Sequence, residues 1–168
     1  MGPPTADLNG VLKKLVVLGA NDLFVGTIAP EVWRAALRYG IDPVGAVAQS
    51  AKETAYGKFG RAVDARWRNT CGLKVRENNL FPGVTDGENP LAHAQFGSWQ
   101  VGALAHAHHL RAYAGCPIEG EPVLSPRYDF VIGQHRLLNF EDFGGGRWAP
   151  APDYGIRLVE IANKMIGA

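Results

Sequence analysis

The sequence predicts one mainly α-helical domain over residues 1–168, with a small irregular or β lobe inserted after the third helix. Apolar residues recur at helical spacing on both sides of this insert. Residues 57–90 are instead rich in Gly, Asn, Asp and Pro around short runs such as CGLKV, which is typical of loops with a small hairpin. No repeat of roughly 20 to 50 residues and no low-complexity linker divides the chain, and its length fits one domain.

Three helices are predicted before the insert. The first has an amphipathic stripe formed by Leu8, Val11, Leu12, Leu15 and Val16. A second is expected over residues 30–39, opened by Pro30, a favoured first-turn residue. Asp42 then caps a third helix with Pro43 at its first position. This third helix carries Glu53 in the stretch AQSAKETAYGKFG.

Three more helices are predicted after the insert. Ser98 can cap a helix that runs to about residue 114. Ser125 and Pro126 can open a fifth helix. The side chains expected along that helix are Tyr128, Val131, Ile132, His135 and Leu138. The last helix is expected over residues 153–166.

Charge and hydropathy restrict the class of partner. With 17 basic and 16 acidic residues the net charge is +1, which predicts no nucleic-acid or anionic-membrane partner. Lys13 and Lys14 precede LVVLGA, but Asn21 and Asp22 interrupt this apolar run, so it is too short for a signal peptide or a membrane span. A monomer without membrane insertion is expected.

The cysteines and histidines give weak signals. Cys71 and Cys116 could pair, but two cysteines make no disulfide framework, and their pairing is left open. Four histidines lie close together in the sequence: His93, His106, His108 and His109. The 106/109 spacing could present two imidazoles on one helical face, yet no Cys-x-x-Cys or His-Glu-x-x-His pattern accompanies them. No metal or other cofactor is therefore predicted.

Glu53 is a candidate general acid because of its place at a helix end. Gln49 and Ser50 lie one turn earlier, so the three form a polar patch that could line a groove. The negative pole of the helix should raise the pKa of Glu53, more so if aromatic neighbours exclude water. A protonated carboxyl is what glycosidic cleavage needs, since the leaving oxygen must receive a proton. Helix position alone favours the alternative, a surface glutamate paired with Lys52 or Lys58.

Two blocks of the sequence resemble those of bacterial and phage glucosaminidases, which cleave peptidoglycan. AVAQSAKETAYGKFG is similar to the family pattern A-Q-x-A-x-E-(ST)-x-(WY)-G, and RNTCGLKV to N-x-x-G-(IL)-K. AQFGSWQVGALAHAHHLRAYAG and GGGRWAPAPDYGIRLVEIANKMI resemble the later F-x-S-W/Y-x-x-(GS) and W-A-x-x-x-x-Y segments. The resemblance covers about residues 30–166. It implies a lysozyme-like fold, Glu53 as the general acid and a GlcNAc–MurNAc strand as the substrate.

The resemblance also implies a second catalytic group, often a carboxylate in the inserted lobe. The candidates in VRENNLFPGVTDGENP are Glu77, Asp86 and Glu88. Glu88 and Asp86 rank above Glu77, because the family's T-x-E pattern is matched from Thr85 with one residue of slippage. Solvated acids in a turn, or attack by the substrate's own acetamide, are the alternatives.

Several side chains are candidates for substrate binding, since sugar rings stack on flat side chains and bond to polar ones. They are Gln49, Tyr56, Asn69, Gly72, Phe96, Trp99 and Trp148. For each aromatic residue a place in the core is the alternative, and Asn69 could instead fix its own turn. Trp99 stands where the family commonly has a tyrosine, so an assisting phenol would come from elsewhere, with Tyr56 as the candidate.

The sequence therefore predicts an enzyme that cuts the β-1,4 bond after N-acetylglucosamine in peptidoglycan. A lytic transglycosylase or muramidase of the same fold is one alternative, and a catalytically silent wall-binding or virion module is another. Action at the bacterial cell wall is expected. Without a signal peptide in this chain, that implies a phage protein released through a membrane pore, a virion component or an excised domain of a secreted autolysin.

Overall fold

The computed structural model describes residues 6–60, 63–75 and 92–168. Within these ranges the chain forms six α-helices. They are α1 (Leu8–Val17), α2 (Ala29–Arg38), α3 (Pro43–Glu53), α4 (Trp99–Tyr113), α5 (Tyr128–Val131) and α6 (Tyr154–Ile166). A π-helical turn, Phe24–Ile28, leads directly into α2, and two short 3₁₀ helices are Ala65–Trp67 and Phe140–Phe143. The prediction of a mainly α fold is confirmed.

Helix α3 lies at the centre of the molecule. All residues over 43–51 are buried, as expected for a helix surrounded by neighbours. Helix α2 packs against α3 and α4, and α6 packs against α3 and α1. The 3₁₀ helix Phe140–Phe143 also lies close to α3, where a Cβ on Gly45 would be 2.2 Å from the ring of Phe140, so a glycine is needed at this position. The burial ends at the C-terminus of α3, where Glu53 is only half-buried.

The predicted caps of α3 and α4 are confirmed. The Asp42 carboxylate accepts a hydrogen bond from the Val44 amide at 3.1 Å, and the Ser98 hydroxyl oxygen accepts one from the Val101 amide at 3.2 Å. These bonds satisfy amides that have no partner inside the helix. Capping therefore fixes where both helices begin.

The prediction of a long fifth helix is wrong. Helix α5 ends at Val131, and Gly133 has a φ of 82°, a left-handed conformation that ends the helix. The chain then turns back towards the end of α4, where the Leu137 amide donates to the Tyr113 carbonyl at 2.8 Å. The His135 ring stacks on the Tyr113 ring, with centroids 5.7 Å apart. Contacts with α4 thus replace the helical turns that the sequence pattern favours.

The two ends of the insert are paired. Lys74 and His93 form an isolated antiparallel bridge, and two backbone hydrogen bonds of 2.7 and 2.8 Å flank it. The three candidate acids, Glu77, Asp86 and Glu88, lie outside the described residues. A small β lobe is therefore not confirmed beyond this pairing.

The cysteines are not bonded to each other: both Cys71 and Cys116 carry free thiols. In the ranges that the structure describes, no three His, Cys, Asp or Glu side chains are grouped so as to hold a metal ion. No helix in those ranges has the length and apolar character needed to cross a bilayer.

Candidate active site

A left-handed turn follows α3 and shapes the site. Positive φ angles occur at Ala55, Tyr56, Gly57 and Phe59. Non-glycine residues hold this conformation only where their surroundings impose it. Here the Tyr56 amide donates to the Ala51 carbonyl at 2.7 Å, and the Asn21 side chain donates to the Gly57 carbonyl at 2.7 Å. The chain thus turns sharply just after Glu53.

Glu53 lies in the wall of a cleft of about 550 Å³, a size typical of ligand pockets. The other walls come from the loop at residues 71–74, from α4 and from the segment at residues 127–150. Among the described residues that line the cleft, Glu53 is the only carboxylate. Three cationic side chains, Lys74, Arg127 and Arg147, line it as well. The described walls therefore carry a net positive charge.

Tyr154, at the first position of α6, is the direct partner of Glu53. Its hydroxyl donates to Glu53 Oε1 at 2.5 Å. Burial, and then the neighbouring carboxylate, raise the pKa of Tyr154 above its ordinary value, so the phenol keeps its proton. Lys52 lies over the Tyr154 ring, with its Nζ 5.3 Å from the ring centroid. Glu53 is thus bonded to a buried tyrosine and is not the surface glutamate of the alternative interpretation.

Burial raises the pKa of Glu53 above its ordinary value of 4.5. The hydrogen bond from Tyr154 and the positive charge of Lys52 act in the opposite direction but are smaller. Removal of water disfavours the charged form of a carboxyl group. The direction is the one expected from the sequence, but its main cause is burial rather than the helix pole.

Gly72 lies beside the other oxygen of Glu53. A Cβ on Gly72 would lie 3.6 Å from Glu53 Oε2, and its φ of 69° is a conformation that favours glycine. Asn69 holds this loop in place. Its side-chain nitrogen donates to the Leu73 and Ala94 carbonyls at 2.8 and 3.0 Å, and its oxygen accepts from the Leu73 amide at 2.9 Å. Because Asn69 is fully buried, the structure favours the turn-fixing alternative over contact with a substrate.

A chain of buried polar side chains leads from Tyr154 to α4. Gln49 Nε2 donates to the Tyr154 hydroxyl at 3.2 Å, and Gln49 Oε1 lies 2.9 Å from His106 Nε2. On the far side, His106 Nδ1 lies 3.4 Å from the Thr70 hydroxyl oxygen. Burial lowers the pKa of His106 to about 3, so its imidazole is neutral. Gln49, expected to contact substrate, is fully buried behind Glu53 and belongs to this chain.

The aromatic candidates occupy different places. Trp148 lines the cleft and packs against Tyr113, with ring centroids 5.4 Å apart. Phe96, Trp99 and Tyr56 are not among the described lining residues. Phe96 packs on a small cluster below the loop, and the other two pack against the main core. Trp148 is therefore the best placed of the four to stack on a sugar.

Sequence reasoning did not identify Tyr154 and His106 as parts of this site. Tyr154 places a phenol beside Glu53, whereas Tyr56 was the candidate for such a phenol. The sequence signal for Tyr154 is the closing W-A-x-x-x-x-Y segment that contains it. His106 has no such signal. The sequence around a histidine on an apolar helix face is the same whether its ring contacts a catalytic group or only the core.

Comparison with known proteins gives one family and one solved structure. Residues 29–166 match the family model named Glucosaminidase and described as mannosyl-glycoprotein endo-beta-N-acetylglucosaminidase. The catalytic domain of the autolysin Auto from Listeria monocytogenes is similar with a TM-score of 0.51 and 16% sequence identity, over 98% of this chain and 99% of that one. At that identity the likeness concerns the fold, and the predicted fold class is confirmed. No curated protein sequence gives a significant match.

Proposed function

This chain belongs to the glucosaminidase family, and from that premise we propose that it is a peptidoglycan hydrolase that cleaves the β-1,4 bond after N-acetylglucosamine. Glu53 is the general acid. The observation that carries the proposal is a half-buried carboxyl group in a cleft wall, with a buried phenol donating to one of its oxygens. Such a carboxyl can hold a proton near neutral pH and deliver it to a leaving oxygen.

Tyr154 gives the two oxygens of Glu53 different tasks. Oε1 accepts the phenol's hydrogen bond, so the acidic proton is carried by Oε2, on the side of Gly72. As the glycosidic bond breaks, this proton passes to the leaving oxygen and Glu53 becomes a carboxylate. A hydrogen bond to a charged acceptor is stronger than one to a neutral acceptor, so Tyr154 stabilises the charge as it develops.

The charge of the cleft supports peptidoglycan as the substrate. Its strands bear carboxylates on their peptide stems, whereas the glycan of a mannosyl-glycoprotein is neutral. Lys74, Arg127 and Arg147 on the described walls attract an anionic strand. The likeness in fold to the catalytic domain of an autolysin supports the same class of substrate.

Replacement of Glu53 tests this proposal. Glu53→Gln keeps the shape of the side chain but removes the proton, so lysis of purified cell walls should fall by roughly 10² or more. Glu160→Gln, an exposed acid on α6, is the matched control and should retain full activity. Reducing-end and mass analysis of the released muropeptides should find N-acetylglucosamine ends. A folded Glu53→Gln variant with near-normal lysis would remove the mechanism, and N-acetylmuramic acid ends would indicate a muramidase.

The second catalytic group is proposed to be a carboxylate of the insert, with Glu88 ahead of Asp86 and Glu77. One of the variants Glu88→Gln, Asp86→Asn and Glu77→Gln should lose nearly as much activity as Glu53→Gln. If all three retain activity within about tenfold, roughly 1.4 kcal/mol in the barrier, the insert supplies no such group and the substrate's acetamide takes its place. Product stereochemistry by NMR then assigns the role, since inversion requires a water on the opposite face of the sugar.

A lytic transglycosylase is the second candidate function. It is favoured by one observation, that Glu53 is the only carboxylate on the described walls of the cleft, because the MurNAc 6-hydroxyl can replace water and a second acid. Anhydro-MurNAc ends in the mass spectrum of digested cell wall would identify this reaction. Their absence alongside new reducing ends would identify a hydrolase.

A further inference from the structure

The buried chain behind Glu53 could be hydrogen-bonded in two directions. Tyr154 has one hydroxyl proton, and two neighbours compete for it: Glu53 Oε1 at 2.5 Å and the Gln49 amide at 3.2 Å. If the amide nitrogen of Gln49 faces the phenol, the proton goes to Glu53. If the amide oxygen faces it, the proton goes to Gln49, and Glu53 must then donate its own proton to the phenol.

The two directions differ in their consequence for the reaction. In the first, Oε1 is an acceptor and the acidic proton of Glu53 stays on Oε2, beside Gly72. In the second, the acidic proton sits on Oε1 and points into the protein, away from a glycosidic oxygen. Once Glu53 is a carboxylate it can only accept, so the first direction is also the one that the product state needs. A site whose hydrogen bonds already run in the first direction before the reaction needs no rearrangement during it.

The orientation of Gln49 depends on the ring nitrogen that faces it. Gln49 Oε1 lies 2.9 Å from His106 Nε2, and an amide oxygen can only accept, so this nitrogen carries the imidazole proton. His106 Nδ1 is then an acceptor. The Thr70 hydroxyl lies 3.4 Å from this nitrogen and 3.4 Å from the Gly102 carbonyl oxygen, so its one proton can go to either acceptor. His106, Thr70 and Gln49 are all buried, so water is not available to replace any of these bonds.

We propose that His106 is a positioning residue: as the Nε2–H tautomer it holds Gln49 with the amide nitrogen towards Tyr154, so that Tyr154 donates to Glu53 and the acidic proton stays on the cleft side. This rests on the proposed role of Glu53 as the general acid. Gln49 and Tyr154 are the intermediate members, and His106 acts on the reaction only through them.

Other titratable groups face Glu53 and His106 and must be separated from this effect. Tyr154 and Cys71 have pKa values raised by burial. Burial lowers the pKa of His106 to about 3 and that of His109, its neighbour on α4, to about 4. Lys52 is the cation next to Glu53 on α3. The cleft also presents Lys74, His93, Arg127, His135 and Arg147. Apart from His106 itself, these groups are present in both the wild type and a His106 variant, so a difference between the two pH profiles is attributed to the loss of His106.

The tautomer can be measured in the unmodified protein. The ¹⁵N chemical shifts of the His106 ring, at neutral pH in labelled protein, should show a protonated Nε2 and an unprotonated Nδ1. A protonated Nδ1 with a bare Nε2 would overturn the proposal, whatever the activity of the protein. Because this readout is independent of catalysis, it also separates a failure of the proposal from a failure of Glu53 as the general acid.

Two substitutions test the consequence for the reaction. His106→Gln keeps an N–H donor that can reach Gln49, whereas His106→Leu removes it. We expect kcat of the Leu variant to fall about tenfold with KM unchanged. The alkaline limb of its kcat profile should also move to higher pH, because Gln49 is then free to turn, Tyr154 no longer donates to Glu53, and that bond lowers the pKa of Glu53. The Gln variant should stay close to the wild type in both respects.

His108→Leu is the matched control. His108 is buried on the same helix, and its Nε2 lies 2.7 Å from the hydroxyl of Tyr39, which donates to Glu121 outside the cleft. Its loss should lower the melting temperature without a change in the pH profile. A folded His106→Leu variant with the wild-type kcat and alkaline limb would overturn the proposal. If that variant does not fold, the tautomer measurement decides.

Discussion

Replacement of Tyr154 by phenylalanine removes one oxygen from the site and leaves the ring in place. The lost hydroxyl donates to Glu53 at 2.5 Å and accepts from Gln49 at 3.2 Å. Its bond to Glu53 lowers the pKa of that carboxyl, in opposition to burial. In the variant burial acts without this opposition, so the pKa of Glu53 rises and the acid keeps its proton to higher pH.

The size of the effect follows from the kind of bond that is lost. A hydrogen bond to a charged group contributes about 1.5–3 kcal/mol. In the proposed mechanism Tyr154 makes such a bond to the carboxylate that Glu53 becomes as it delivers its proton. Loss of that stabilisation in the transition state corresponds to a fall in kcat of roughly ten- to a hundredfold. The alkaline limb of the activity profile should move upwards at the same time.

The assay is the initial rate of reducing-end release from purified cell walls, measured over the pH range on both sides of neutrality, with melting temperatures recorded in parallel. Tyr39→Phe is the matched control, because the Tyr39 hydroxyl donates to Glu121 at 2.7 Å and contacts His108, outside the cleft. Tyr39→Phe should lower the melting temperature and leave kcat unchanged. A folded Tyr154→Phe variant with wild-type kcat and an unmoved alkaline limb would refute the reasoning.

Two further predictions concern stability. Burial raises the pKa of Glu53, so the folded state binds that proton more tightly than the unfolded chain, and stability should fall as pH rises from about 4.5 through the raised value. Glu53→Gln should therefore melt higher than the wild type at pH 8 but not at pH 4, whereas equal melting temperatures at pH 8 would contradict the burial argument. Stability should depend on pH in the opposite way through His106 and His109. Burial lowers their pKa values from 6.5 to about 3 and about 4, so the unfolded chain binds these protons more tightly than the folded state. Their contribution to the free energy of unfolding is complete above pH 6.5 and decreases below that pH, by about 2–3 kcal/mol for each histidine at pH 4.5. Between pH 6.5 and pH 4.5 the denaturant midpoint should therefore fall less for His106→Gln than for the wild type. An equal fall in the two proteins would exclude His106 as a source of this acid destabilisation.

Local patterns predicted most of the helices. The caps at Asp42 and Ser98 and the apolar stripe of α1 depend on residues within one or two turns, so the sequence contains the whole signal. The prediction of a long fifth helix was wrong because the end of that helix depends on a contact with a distant part of the chain. Its pattern continues to Leu138, but the chain leaves the helix at Gly133 and pairs with the end of α4, a contact that no local pattern reports.

The polar candidates show the same limit within the site. Gln49 and Asn69 have side chains suited to a sugar acetamide, and residue type alone cannot tell a side chain that faces a cleft from one that faces the interior. The structure buries both completely and gives each of them protein partners. Gly72 and Trp148, which the resemblance also indicated, do line the cleft.

The sequence by itself determined the helical class and the family of this protein and indicated Glu53 as the candidate acid, because periodicity, capping and the motif around Glu53 each lie within a few consecutive residues. Only the tertiary structure decided what holds that acid. Tyr154 stands 101 residues away from Glu53, and His106 stands 57 away from Gln49. These groups meet because α3, α4 and α6 pack together, and the direction of a hydrogen bond depends on distances in space that sequence spacing does not encode.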